Sequence, residues 1–211
     1  RRAGGGAATR RAGARTFASD GGLGEAIAAE LEEEEGNGAG LNDGPPPPND
    51  FVVEPTPGMR NVIAKRSVDG DDVTVTLDVF GETDDVGELP PELGGPAPGD
   101  DEDEPARFFT AMVKVERAGG KAMSFQVELE QDSFEVLSAQ TPPMDLDAIN
   151  DQRYLSPEYE NLADSVQDAV VAFLAERGMD EEFFGWLFNA AIDKEEAEYV
   201  EWLRRVKDFL E

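Results

Sequence analysis

The segment FTAMVKVERAGGKAMSFQVEL, residues 109–129, decides what kind of chain this is. Phe109, Ala111, Val113 and Val115 fall on alternate positions, and Met123, Phe125, Val127 and Leu129 repeat the pattern. A period of two marks a strand with one face buried. Ala118-Gly119-Gly120 between the runs leaves room only for a tight turn, so the strands are antiparallel. Upstream, Val73, Val75, Leu77 and Val79 alternate with Thr74, Thr76 and Asp78, after a turn at Gly70 flanked by Asp69 and Asp71. Residues 51–80 read as strands throughout, with a second turn at Pro57-Gly58, and Phe134 to Ala139 forms a further strand. The pattern is that of an antiparallel meander.

The last sixty residues change period. Ser156 followed by Pro157 reads as an N-cap with proline at the first helical position. Tyr159, Leu162, Val166, Val170, Phe173 and Leu174 then recur at helical spacing. Gly178 closes that helix and Asp180 caps the next. Phe183, Phe184, Trp186, Leu187 and Phe188 are followed by a wide apolar face of Tyr199, Trp202, Leu203, Val206, Phe209 and Leu210. Near the other end, Leu23, Ile27 and Leu31 give a narrow stripe on a short helix. Its Glu32 to Glu35 carry the wrong charge for a helix C-terminus, so it needs a partner surface. The aromatic surface of the terminal helices has two readings: intramolecular core, or an oligomer interface built from the N- and C-terminal helices. The spacing of Trp186, Tyr199 and Trp202 favours packing over ligand stacking, and Lys194, Arg204 and Arg205 are expected to pair with nearby Glu.

Composition narrows the function. The 211 residues include no Cys and no His, which excludes thiol and imidazole chemistry, disulfides and zinc sites built from sulfur or nitrogen. No cofactor is implied, and no apolar run reaches the ~18 residues of a membrane-spanning segment. The net charge is −29. Residues 1–19 hold five Arg and no acid. Removing those five from the 18 basic residues leaves 13 against 47 acids, a net of −34. Such a surface repels phosphates, which argues against direct nucleic-acid binding by a basic patch, and attracts basic proteins and cations.

The Arg-rich, acid-free leader has the marks of an organelle transit peptide, here expected to be partial, with a mitochondrial processing site between Phe17 and Ala18. A chloroplast address and a plain basic tail are the competing readings. Asn37 to Asn49, with Pro45 to Pro48, reads as an extended polyproline stretch within a flexible linker (residues 36–50), and 81–105 as a disordered acidic loop peaking at Asp100 to Glu104.

With this order in hand, the chain resembles the mitochondrial acidic matrix protein family, also called the mitochondrial glycoprotein or complement component 1 Q subcomponent-binding protein family. Tyr154-Leu155-Ser156-Pro157 stands where the family commonly has Tyr-x-Gly-Pro. The match continues through Leu162, Val166-Gln167, Phe173-Leu174 and Arg177-Gly178-Met179. It is strongest over KEEAEYVEWL, residues 194–203, ending at Phe209-Leu210, and Leu23 to Glu30 looks like the family's first helix. The resemblance covers residues 20–211 and fades toward the middle. It implies an α+β fold: a highly twisted seven-stranded antiparallel sheet with one N-terminal and two C-terminal helices. It also implies a doughnut-shaped homotrimer in the mitochondrial matrix. The implied role is non-enzymatic and chaperone-like, linked to oxidative phosphorylation and to mitochondrial ribosome assembly and translation.

Two acidic patches follow as candidate partner-binding sites: Glu32, Glu33, Glu34 and Glu35, and Asp100, Asp101, Glu102, Asp103 and Glu104. Each reads either as a dock for basic partners such as ribosomal proteins or as a solvated run without a fixed partner. Weak divalent-cation binding or buffering is an alternative, although the spacing is not that of an EF-hand. A hydrolase using a carboxylate pair is a more remote one, because so many acids place some pair at a suitable separation by chance. The expected oligomer interface comprises Leu23, Ile27, Leu31, Tyr199, Trp202, Leu203, Val206, Phe209 and Leu210.

Overall fold

The alternating runs are strands in the computed structural model, which describes residues 20–37, 44–80, 82–83, 107–142 and 154–211. The strands are β1 (Val52–Glu54), β2 (Asn61–Val68), β3 (Asp71–Asp78), β4 (Glu82–Thr83), β5 (Arg107–Arg117), β6 (Lys121–Leu129) and β7 (Phe134–Gln140). The helices are α1 (Asp20–Asn37), α2 (Asp164–Glu176) and α3 (Glu181–Leu210). The class is α+β, and every strand pair is antiparallel. Six strands form the continuous path β1-β2-β3-β5-β6-β7, and β4 lies beside it. Asp71 to Leu77 pair with Arg117 to Ala111, whereas Glu82 and Thr83 pair with Phe108 and Arg107. Thus β4 extends the line of β3 along the same neighbour.

The β2–β3 hairpin shows how local chemistry sets register. Val68 pairs with Asp71, leaving Asp69 (φ 51°) and Gly70 (φ 82°) as a two-residue turn with both φ positive. That geometry matches the right-handed twist of the flanking strands. Asp71 is therefore the first strand residue, not part of the turn.

One face of the sheet carries the main core. Val73, Val75, Leu77, Phe109, Ala111, Val113, Phe125, Val127 and Leu129 are buried against Leu174, Met179, Phe183, Phe184, Leu187 and Phe188. Aromatic rings link the layers: Phe51 to Phe183 (4.2 Å between centroids), Phe134 to Phe184 (4.5 Å) and Phe109 to Phe188 (5.2 Å). Each such side chain contributes about 1.5–3 kcal/mol on full burial. The 30-residue α3 outruns the sheet. Its first half, to Ala191, belongs to this core; farther along, Val200 and Leu203 form a second cluster with Ile27 and Leu31 of α1.

The helix signals are partly displaced. Ser156 and Pro157 do not start a helix: Tyr159–Asn161 is a single 3-10 turn, Ala163 is the N-cap and α2 begins at Asp164. The physical reason lies in Leu162 and Ala163, both extended, and in Gln167. Its side-chain amide donates to the carbonyls of Leu162 (3.0 Å) and Tyr159 (3.4 Å), bracing a 3-10 turn that Leu162 N–H closes on Tyr159 O (3.0 Å), so the helix starts only after it. The other end matches expectation. Gly178 (φ 84°) ends α2 in a Schellman motif, with Met179 N–H on Leu174 O (3.1 Å) and Gly178 N–H on Ala175 O (2.9 Å). The Asp180 carboxylate then accepts from Phe183 N–H (3.0 Å) and caps α3.

The proline tract, where described, is docked. Trp186 Nε1 donates to Pro45 O (2.9 Å), and Asn49 Nδ2 donates to Gly178 O (2.9 Å) and to the Asp180 carboxylate (3.2 Å). Residues 44–50 therefore lie along α3 and the α2–α3 corner. The Arg-rich leader 1–19, linker residues 38–43 and most of the acidic stretch 81–105, including Asp100 to Glu104, lie outside the described residues.

Candidate functional site

The α1–α3 pair gathers most of the candidate residues. α1 is a poor helix by itself: Gly22, Gly24 and Gly36 each cost up to about 1 kcal/mol relative to Ala. Docking supplies what propensity lacks, since Ile27 and Leu31 are buried against Val200 and Leu203, with Val206 packed alongside. Of the nine expected interface residues, Ile27, Leu31 and Leu203 are thus buried within one chain. Leu23, Tyr199, Trp202 and Phe209 are exposed, Phe209 at 86%, and Val206 and Leu210 are half-buried. Tyr199 and Trp202 stack, with centroids 5.9 Å apart and planes inclined by 14°. The two rings pack on each other.

The acids of α1 are mostly uncompensated. Arg204 bridges Glu35 (2.8 Å) and Glu201. Tyr199 Oη donates to Glu30 (3.0 Å), and this hydrogen bond, with burial, raises the phenol above its ordinary value. Glu25, Glu32, Glu33 and Glu34 meet no cation among the described residues, and of these only Glu34 is half-buried. Glu32 to Glu35 sit in the last turns of α1, where the helix dipole is unfavourable to them by about 0.3–1 kcal/mol each. A cation brought there relieves the dipole and the mutual repulsion together.

Two ion-pair sites are structural. Lys194, only 4% exposed, donates from Nζ to Glu198 Oε1 (2.6 Å) and Thr56 O (2.7 Å), and Gly58 N–H donates to the same carboxylate (2.8 Å). This is the expected pairing with a nearby Glu, extended to the loop between β1 and β2. The second site was invisible in the sequence. Asp71 accepts two bonds from Arg117 (2.6 and 2.7 Å) and two from Arg177 (2.8 and 3.0 Å), tying β3 to β5 and to the end of α2. Hydrogen bonds from the two guanidiniums hold its carboxyl well below the usual range. Arg177 also lies 3.4 Å above the Phe173 ring centroid and donates to Phe173 O (2.9 Å). In the sequence Asp71 read as a turn residue and Arg177 as part of the Arg177-Gly178 pair, and partners 46 and 106 positions apart left no local signal joining them.

Among the described residues no group of His, Cys, Asp and Glu is arranged to hold a metal ion, and no helix is long and apolar enough to cross a membrane.

This architecture, an antiparallel sheet with helices on one face and an acidic helix docked on the last one, its carboxylates mostly uncompensated among the described residues, defines an acidic α+β protein. The chain belongs to the mitochondrial glycoprotein family, whose sequence profile matches residues 25–210. A curated relative, mitochondrial acidic protein mam33 of Schizosaccharomyces pombe, is 23% identical over 188 residues, covering 78% of this chain and 69% of the relative. Two solved structures share the fold. The Trypanosoma brucei p22 protein superposes with a TM-score of 0.70 at 23% identity. A Leishmania major hypothetical protein, described as a sequence homologue of human p32, gives 0.67 at 20%. Each comparison covers 92% of this chain and all of the other. Family membership supports a mitochondrial location.

Proposed function

We propose that this protein is a non-enzymatic, homotrimeric protein of the mitochondrial matrix that captures basic protein segments electrostatically. In that role it acts as a chaperone or scaffold that supports mitochondrial ribosome assembly or translation, and through it oxidative phosphorylation. The observation that carries the reading is the run Glu32 to Glu34: exposed or half-exposed carboxylates at the wrong end of a helix, with no cation opposite among the described residues. A protein that needed this charge only for solubility gains nothing by placing it where the dipole opposes it. The exposed Leu23, Tyr199, Trp202 and Phe209 on the same helix pair support assembly into a trimer, because burial against a neighbouring copy removes them from water. Trimerisation brings three copies of the acidic run together, raising the local field and the avidity for a polycation.

The test is a titration of a basic ribosomal protein into the full chain and into the variant Glu32→Gln/Glu33→Gln/Glu34→Gln. Exposed charges contribute about 0.2–1 kcal/mol each, so the triple variant is expected to bind roughly tenfold more weakly. Equal affinity for the two proteins would remove α1 from the binding surface.

A further inference from the structure

A cleft of about 390 Å³ lies between the proline tract and α3. Pro45 to Pro48 form one wall; Glu182, Trp186, Ala190 and Asp193 form the other. These α3 positions fall at intervals of three or four and therefore share one helix face, with the two carboxylates on either side of Trp186 along it. The walls are already built. Trp186 is bonded to Pro45 O, and Asn49 anchors the far end of the tract to Gly178 and Asp180. A guest does not have to order them, which lowers the cost of binding.

Asp193 marks what the cleft is for. It is half-buried, has neither a hydrogen bond nor an ion pair among the described residues, and lies so close to Gly44 that a Cβ there would be 3.2 Å from Oδ2. Burial pushes its carboxyl up from the ordinary value. An unpaired carboxylate in such a place is costly, and a neutral guest leaves it so. An anion is repelled by both acids. A cation on an aliphatic stem satisfies every surface: stem on proline and indole, head on carboxylate.

We propose that this cleft takes one cationic side chain, lysine or arginine, from a basic protein segment, with its head on Asp193 and its stem against Trp186 and the prolines. The inference rests on the binding reading above and gives it a specific contact beyond the general field.

The test uses heptaarginine as probe, titrated calorimetrically into the full chain at low salt. Asp193→Asn is expected to weaken binding about tenfold. Ala190→Leu, which keeps both carboxylates but fills the cleft, should do the same. Glu135→Gln, an equal loss of charge at an exposed position of β7, should change it less than twofold. Thermal unfolding confirms that each variant is folded. If Asp193→Asn and Glu135→Gln weaken binding equally, only the overall field acts and the cleft proposal falls while the binding reading stands. If heptaarginine does not bind the unmodified chain at all, both fall.

Discussion

Replacing Lys194 by Met is expected to cost about 3 kcal/mol and to leave a signature in pH. Methionine keeps the length of the stem but supplies neither charge nor donor. Thr56 O loses a charge-assisted bond of 2.7 Å but keeps Met59 N–H (3.1 Å), so this loss is the ~1.5–3 kcal/mol of a hydrogen bond to a charged group, reduced by the partner that remains. Glu198 keeps the Gly58 N–H but loses its cation, and removing one partner of a buried pair costs about 3–5 kcal/mol. The Glu198 side chain is 21% exposed, so water relieves part of this and the low end applies. Against a total stability of roughly 5–15 kcal/mol the change is large, and urea unfolding at pH 7 reads it directly.

The sign of the pH dependence follows from Glu198. Burial pushes its carboxyl up, but the bonds from Lys194 and Gly58 outweigh this and hold it below the ordinary 4.5. A lowered folded-state value stabilises above 4.5, and that contribution is lost as pH falls through the folded value. In the variant burial dominates, so Glu198 takes up its proton earlier and the cost is relieved. The gap between the two proteins should therefore narrow as pH falls from ~7 toward ~4. A loss below ~1 kcal/mol at pH 7, or a gap that widens in acid, would refute the reasoning.

Gly178→Ala forces a side chain to φ 84° and sets its Cβ 1.9 Å from Arg66 Nη1 and 2.9 Å from Asn49 Cβ. Backbone strain alone contributes about 1–2 kcal/mol, so the urea midpoint should drop clearly. Leu203→Ala removes a side chain that is 1% exposed from the α1–α3 cluster, and hydrogen exchange should show α1 losing protection while β5 and β6 keep theirs. Asp71→Asn leaves two guanidiniums without their anion; stability should fall at pH 7, and the loss of stability that the unmodified protein shows in acid below the ordinary 3.8 should be reduced. Light scattering on the full chain should return three times the 22.8 kDa chain mass; a monodisperse monomer would remove the trimer from the proposal.

Much of the fold was legible because it rests on local periodicity. Val73 to Val79, Phe109 to Val115 and Phe125 to Leu129 each bury one face, so a register slip would expose every large side chain and the alternation had to be kept. Gly178 and Asp180 were legible for the same kind of reason: each residue type answers a backbone requirement at its own position. Ser156-Pro157 misled because a cap followed by proline is favoured at helix starts but does not decide one, and here a 3-10 turn braced by Gln167 intervenes. The docking of Pro45 to Pro48 was hidden because a polyproline run has the same composition whether or not a Trp186 waits for it. Asp71 looked like a turn residue from its neighbours alone. Its role depends on Arg117 and Arg177, which only the folded topology brings together. For the candidate site, the charge of Glu32 to Glu35 and the stripe of α1 were readable. The division of Ile27 and Leu31 from the exposed Leu23, Tyr199 and Trp202 was not, since a helix stripe does not say which partner covers it.

Salt tests the proposed electrostatic capture of a basic partner most directly. Exposed charge pairs are screened over ~8 Å at physiological ionic strength, so affinity for a basic ribosomal protein should fall at least ~10-fold between ~50 and ~300 mM salt. An affinity that holds constant across that range would contradict the central claim.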